Sequence, residues 1–239
     1  MIALIQGEMI KVRTTRTALG FAAATLLLVL AVVLISILAG DPSDIDSKRD
    51  ALNTGGVMGV TLLLFGIVGA SGEYRHRTLA PAVLIAPDRM RLTIARLLAY
   101  VITAILVAVA MAALALVLGV LLLPGTEGPD LAGSDYVQVA AGAVVAAALT
   151  TALGVGVGVV VKNQVAGVVG ALVWILILAP LLGLIDEDIP EYTNAAAAGT
   201  VGGTHSDVLS WGAAIVVLGA WALVFVIAAL LVDRRRDVD

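Results

Sequence analysis

Long apolar runs, broken by short charged stretches, set the pattern of this chain. A helix needs roughly 20 apolar residues to cross about 30 Å of hydrocarbon. Six segments have that character, at about 18–39, 55–71, 93–123, 137–161, 165–184 and 211–232. The first holds thirteen Leu, Ile, Val or Phe residues and no charge. On an insertion scale that favours the membrane by about 4–8 kcal/mol. It is longer than the apolar core of a cleaved leader, about 7–15 residues. It also ends Ile37-Leu38-Ala39, a poor cleavage site, so it is expected to stay as a span. The second segment is the shortest and is rich in glycine. The expected fold is all-α: one transmembrane domain over 1–239, with six membrane-crossing helices.

Two stretches outside these runs carry patterns of their own. Before the first span, Ile2, Ile5, Met9 and Val12 recur at helical spacing, with Glu8, Lys11 and Arg13 pointing elsewhere. This predicts an amphipathic helix in the membrane interface, basic residues toward lipid headgroups; the alternative is a frayed basic tail. Between spans two and three, Thr78 can cap a short helix, Pro81 is tolerated in its first turn, and Pro87 ends it. An apolar helix this short cannot cross the membrane. It lies across the mouth of the bundle and docks into a partner, or the segment is a plain re-entry turn. Between spans five and six, Asn194-Ala195-Ala196-Ala197-Ala198-Gly199 is either a surface loop or a short helix dipping into the membrane against protein.

Charge fixes the orientation. With six spans, twelve of the fourteen Lys and Arg residues share one side with six acids; the other side holds Lys48, Arg49 and twelve acids. The positive-inside rule makes the basic side cytoplasmic, with both termini there and the chain multi-pass in the cell membrane. The overall hydrophobic share of 61% and mean hydropathy of +1.08 agree with this class.

Candidate chemistry is sparse. There is no cysteine, and the two histidines, His76 and His205, stand far apart, so neither a disulfide framework nor a zinc site is expected. Charge is nearly absent within the spans; Arg96, near one end of the third, is expected to snorkel. Ion-coupled carriers keep ionisable groups at mid-depth, so this argues against one. No His-Glu-x-x-His or Gly-x-Ser-x-Gly sequence occurs, nor the phosphate-cradling Gly-x-x-x-x-Gly-Lys-Ser/Thr. Gly154, Gly156 and Gly158 on the fourth span, and Gly167 and Gly170 on the fifth, suit close helix packing. Pro180 is expected to kink or end the fifth span.

The segment Glu73-Tyr74-Arg75-His76-Arg77-Thr78, the Pro81–Pro87 stretch and Arg89-Met90-Arg91 together resemble permease subunits of the type-2 ABC exporter family. The opening Glu8-Met9-Ile10-Lys11-Val12-Arg13-Thr14-Thr15-Arg16 is similar to that family's entry helix. Two positions depart from the pattern: Arg77 stands where the family often has glycine, and Ala179 precedes Pro180 where it often has an acid. The resemblance implies that the stretch from Thr78 to Pro87, with Leu79, Val83 and Leu84 on it, is a coupling helix seated in an ATPase subunit. Glu73, Arg75, His76, Arg77 and Arg89 would flank that contact. Ile5, Met9, Lys11 and Arg13 would belong to a bracing interfacial helix. It further implies a separate ATPase chain that holds ATP and Mg, a second permease chain (identical or different), contact with membrane lipid and no nucleic-acid partner. The chain would not be catalytic by itself and would export a cytoplasmic or inner-leaflet substrate; the few polar residues along the spans suit an amphiphilic one. A membrane scaffold or sensor subunit binding a cytoplasmic partner through the same basic loop is the alternative.

Overall fold

Every apolar run becomes a helix. A computed structural model describes residues 1–40, 42–75 and 89–234. We number its helices α1 (Ile2–Thr14), α2 (Arg16–Leu38), α3 (Ile45–Ala51), α4 (Gly55–Arg75), α5 (Arg89–Leu122), α6 (Gly133–Val161), α7 (Gln164–Val173), α8 (Asn194–Gly202) and α9 (Trp211–Arg234). Past Val173 the α7 axis continues through a π turn and short helical pieces to Leu184. Six helices are long and apolar enough to cross a membrane: α2, α4, α5, α6, the extended α7 and α9. The architecture is that of a multi-pass membrane protein, with no strand among the described residues.

The span that sequence made the shortest is the most enclosed. Buried residues make up 72% of the α3–α4 window and 56% of the α6 window, against 11–22% for the other four. Glycine is the reason. A methyl group on Gly66 would lie 2.7 Å from the Thr151 carbonyl oxygen, and one on Gly158 would lie 2.7 Å from that of Ile67. Bare backbones therefore touch, and dispersion and packing hold helices together where lipid offers no hydrophobic drive. Gly156 meets Phe225 of α9, and Gly167 meets Ile67. Gly170 does not join them: nothing stands near it, contrary to expectation.

Around this pair, one apolar cluster gathers α2, α4, α5 and α6. It includes Phe21, Phe65 and Tyr100, whose ring centroids are 5.7 and 4.9 Å apart in sequence. Thr25 donates to the Phe21 carbonyl of its own helix at 2.7 Å, and its hydroxyl oxygen lies 3.1 Å from that of Thr61 across α2 and α4. A second cluster joins α4 and α6 to α7 and α9. The peripheral helices turn Leu27, Leu106, Val216 and Val165 outward. Exposed aliphatics of this density suit hydrocarbon as the surrounding medium.

Pro180 acts earlier than a simple stop. It lacks an N–H, and its ring clashes with the carbonyl four residues back. The chain answers with a π turn over Trp174–Leu178, in which Ala179 N–H reaches the Trp174 carbonyl. The extra residue per turn absorbs the mismatch, so the helix runs on through Pro180.

Candidate functional site

Hydrogen bonds and ion pairs gather polar residues at the two ends of the bundle. At one end, α1, the start of α5 and the end of α9 meet. Arg96, 1% exposed, sets its Nε 3.9 Å from Glu8 Oε2, and Glu8 also takes Lys11 Nζ. Thr93 donates to Asp233, and both are buried. This corrects two expectations. Arg96 does not snorkel; it is buried beneath α1. Glu8 is not on the outward face of α1; it points in, because the cation that attracts it belongs to α5. Ile5 and Met9 are half-buried and Val12 is buried, while Lys11 and Arg13 are exposed. Ile2 lies 75% exposed, outside the packed stripe. This end, basic in sequence, is called the basic end below.

The opposite, acidic end is capped by α3, the turn before α6 and the stretch from 185 to 210. Asp44 begins α3 as a reciprocal cap: its side chain accepts from Ser47 N–H at 2.8 Å, and Ser47 Oγ accepts from Asp44 N–H at 3.1 Å. The bond from Ser47 N–H holds the Asp44 carboxyl below its ordinary range. The cap therefore stabilises α3 above the usual Asp range and is lost as pH falls through the lowered value. Lys48, fully buried, donates to the Pro129 carbonyl at 3.0 Å. Arg49 pairs with Asp135, whose other oxygen caps α6 at Ala132 N–H. Asn53 accepts from Gly55 N–H at 2.8 Å and donates to the Gly199 carbonyl at 2.9 Å.

Asn53 thereby holds α8, which is a buried helix and not a surface loop. Ala197, Ala198, Val201 and Gly202 are buried against α4, α6 and α9. Gly55 and Gly202 bring α4 and α8 into backbone contact, where a methyl on either would sit 2.6 Å from the other's Cα. All three tryptophans hold the same excursion. Trp174 Nε1 donates to Asn194 Oδ1 at 2.8 Å, Trp211 Nε1 to the Val201 carbonyl at 3.0 Å, and Trp221 Nε1 to the Tyr192 carbonyl at 3.0 Å. Replacing Trp174 with phenylalanine keeps most of the apolar surface but strands the buried Asn194 side chain. The cost should be about 1–3 kcal/mol, read as a lower unfolding midpoint in mild detergent. Trp221→Phe frees a backbone carbonyl at an exposed site and should cost less.

A cavity of about 250 Å³ opens beside this cap, lined in part by Arg49, Gln138, Thr204, His205, Ser210 and Trp211. His205 stands 3.3 Å from Asp207 and 4.0 Å from Asp46. No group of three or more potential metal ligands occurs among the described residues.

Of the residues singled out for a coupling contact, Glu73 and Arg75 lie in the last turn of α4, and Arg89 opens α5. His76, Arg77, Thr78, Leu79, Val83, Leu84 and Pro87 lie outside the described residues. The polar partners at both ends were missed. The acceptors of Trp211 and Trp221 are backbone carbonyls, which carry no sequence signature.

No protein-family model matches this chain, and neither does any curated protein sequence.

Proposed function

We propose that this chain is the membrane subunit of an ATP-driven exporter of the type-2 ABC kind. The observation that carries the proposal is the 73–91 segment between the second and third membrane-crossing helices. It combines Glu73-Tyr74-Arg75-His76-Arg77-Thr78 with a short apolar stretch bounded by Pro81 and Pro87. The six apolar helices, the packed helix ahead of the first and the buried α8 before the last support the same reading. The basic end faces the cytoplasm of the cell in this proposal, and both termini are there.

On this reading the Thr78–Pro87 stretch seats in a groove of a separate ATPase chain, which holds ATP and Mg. ATP-driven closure of two such subunits pushes on two permease chains. Motion enters where α4 ends and α5 begins. The α4 helix is packed by backbone contact onto α6 and α8, so displacement at one end is carried along a stiff rod to the acidic end. An amphiphilic substrate leaves the cytoplasm or inner leaflet between the two permease chains.

Val83→Asp tests the contact. A carboxylate in a desolvated apolar groove weakens an interface hot spot by about tenfold or more. The variant should still reach the membrane in normal amount while its stimulation of ATP hydrolysis falls by that factor. Unchanged stimulation would remove the segment from the coupling role. A basic loop serving a scaffold or sensor would instead lose a non-ATPase partner.

A further inference from the structure

We infer that the basic end carries a binding surface for anionic phospholipid headgroups, formed by α1, the first turn of α2 and the end of α9. The inference rests on membrane insertion and not on the ATPase reading. Its starting point is where the carboxylates go. Among the described side chains at this end the acids are Glu8 and Asp233, and both are buried, at 4% and 6% exposure. Glu8 is taken by Arg96 and Lys11, and Asp233 by Thr93. Exposed cations at this end include Arg13, Arg16 and Arg234, while Lys11 is turned to Glu8. Glu73, Asp88, Asp237 and Asp239 belong to this side by sequence and fall outside the described side chains. They leave the side net basic.

Large apolar residues share this surface. Ile2 is 75% exposed and Ile10 63% on α1, and Leu19 is 67% exposed in the first turns of α2. One extended residue, Thr15, separates α1 from α2. The 13-residue α1 therefore lies directly ahead of the first span, and it packs along α5. Isolated cations beside water would need no aliphatic neighbours. An acidic protein groove would need none within a turn of a membrane span. Cations and aliphatics together beside a span match a lipid, whose phosphate takes the arginines and whose chains take the isoleucines.

The test uses the full chain in mild detergent with mixed phosphatidylcholine and phosphatidylglycerol as the probe, and native mass spectrometry to read which lipid stays bound. Wild type should retain phosphatidylglycerol in preference to phosphatidylcholine. Basic residues near a charged leaflet contribute about 1 kcal/mol each, so Arg13→Gln, Arg16→Gln and Arg234→Gln should each lower that preference about fivefold. The Arg→Lys versions should keep it, which separates charge from any folding defect. No preference in wild type, or the same preference in the triple Gln variant, overturns the proposal. So does a triple variant that keeps its lipid but sheds an acidic protein partner.

Discussion

Gly154→Leu will stop the central helices from packing. A methyl on Gly154 would lie 2.2 Å from the Leu63 carbonyl oxygen and 3.2 Å from the Gly66 Cα. Both are backbone atoms of α4, so no side chain can swing aside. Relief requires α4 and α6 to move apart, which undoes the contacts at Gly66 and Gly158 as well. Overpacking a tight core costs about 1–3 kcal/mol and more when the backbone must shift; here the upper end or beyond is expected. Even Gly154→Ala should lower the unfolding midpoint in detergent. Gly170→Leu is the internal control: it adds the same volume to another span, but nothing stands near it. Its effect should stay within about 0.5 kcal/mol. Equal damage at the two glycines would mean that α4 and α6 do not meet as described.

Arg96→Met will also be costly, for a different reason. The guanidinium is buried, with its Nε 3.9 Å from Glu8 Oε2. Removing it leaves the Glu8 carboxylate in the same enclosure with Lys11 as its partner among the described residues. Losing one partner of a buried pair costs about 3–5 kcal/mol. Replacing both, as Glu8→Leu with Arg96→Met, removes the uncompensated charge and should recover most of that loss, since apolar substitutes for buried ion pairs are often neutral or better. The measurement is a double-mutant cycle on unfolding midpoints. Additive losses would show that Glu8 and Arg96 do not act on each other. In that case α1 is held on the bundle by Val12 and its apolar neighbours alone.

These two sites also show where sequence reasoning reached and where it stopped. Span count and turns were legible because an 18–20-residue apolar run has few other uses. The turn between α6 and α7 fell where expected, with Lys162 left-handed at φ 58° and the Asn163 side chain accepting from Val165 and Ala166 N–H. The glycines at 154, 156 and 158 announced close packing, but spacing alone could not tell that Gly170 faces open surface. Glu8 was misplaced because helical periodicity sorts residues by hydrophobicity within one helix. It is blind to a countercharge 88 residues away on another. Pro180 announced an interruption; residue type alone does not distinguish a π turn over Trp174–Leu178 from a kink or a stop. The proposed coupling contact rests on the sequence between Glu73 and Arg91, and one measurement tests it directly.

That measurement is purification of the tagged chain from its native membranes in mild detergent, with identification of whatever polypeptides remain bound. The proposal predicts a retained chain bearing the Gly-x-x-x-x-Gly-Lys-Ser/Thr phosphate loop, together with nucleotide-dependent hydrolysis in the purified complex. Wild type that retains lipid and folds as six spans, yet never carries such a chain, would contradict it.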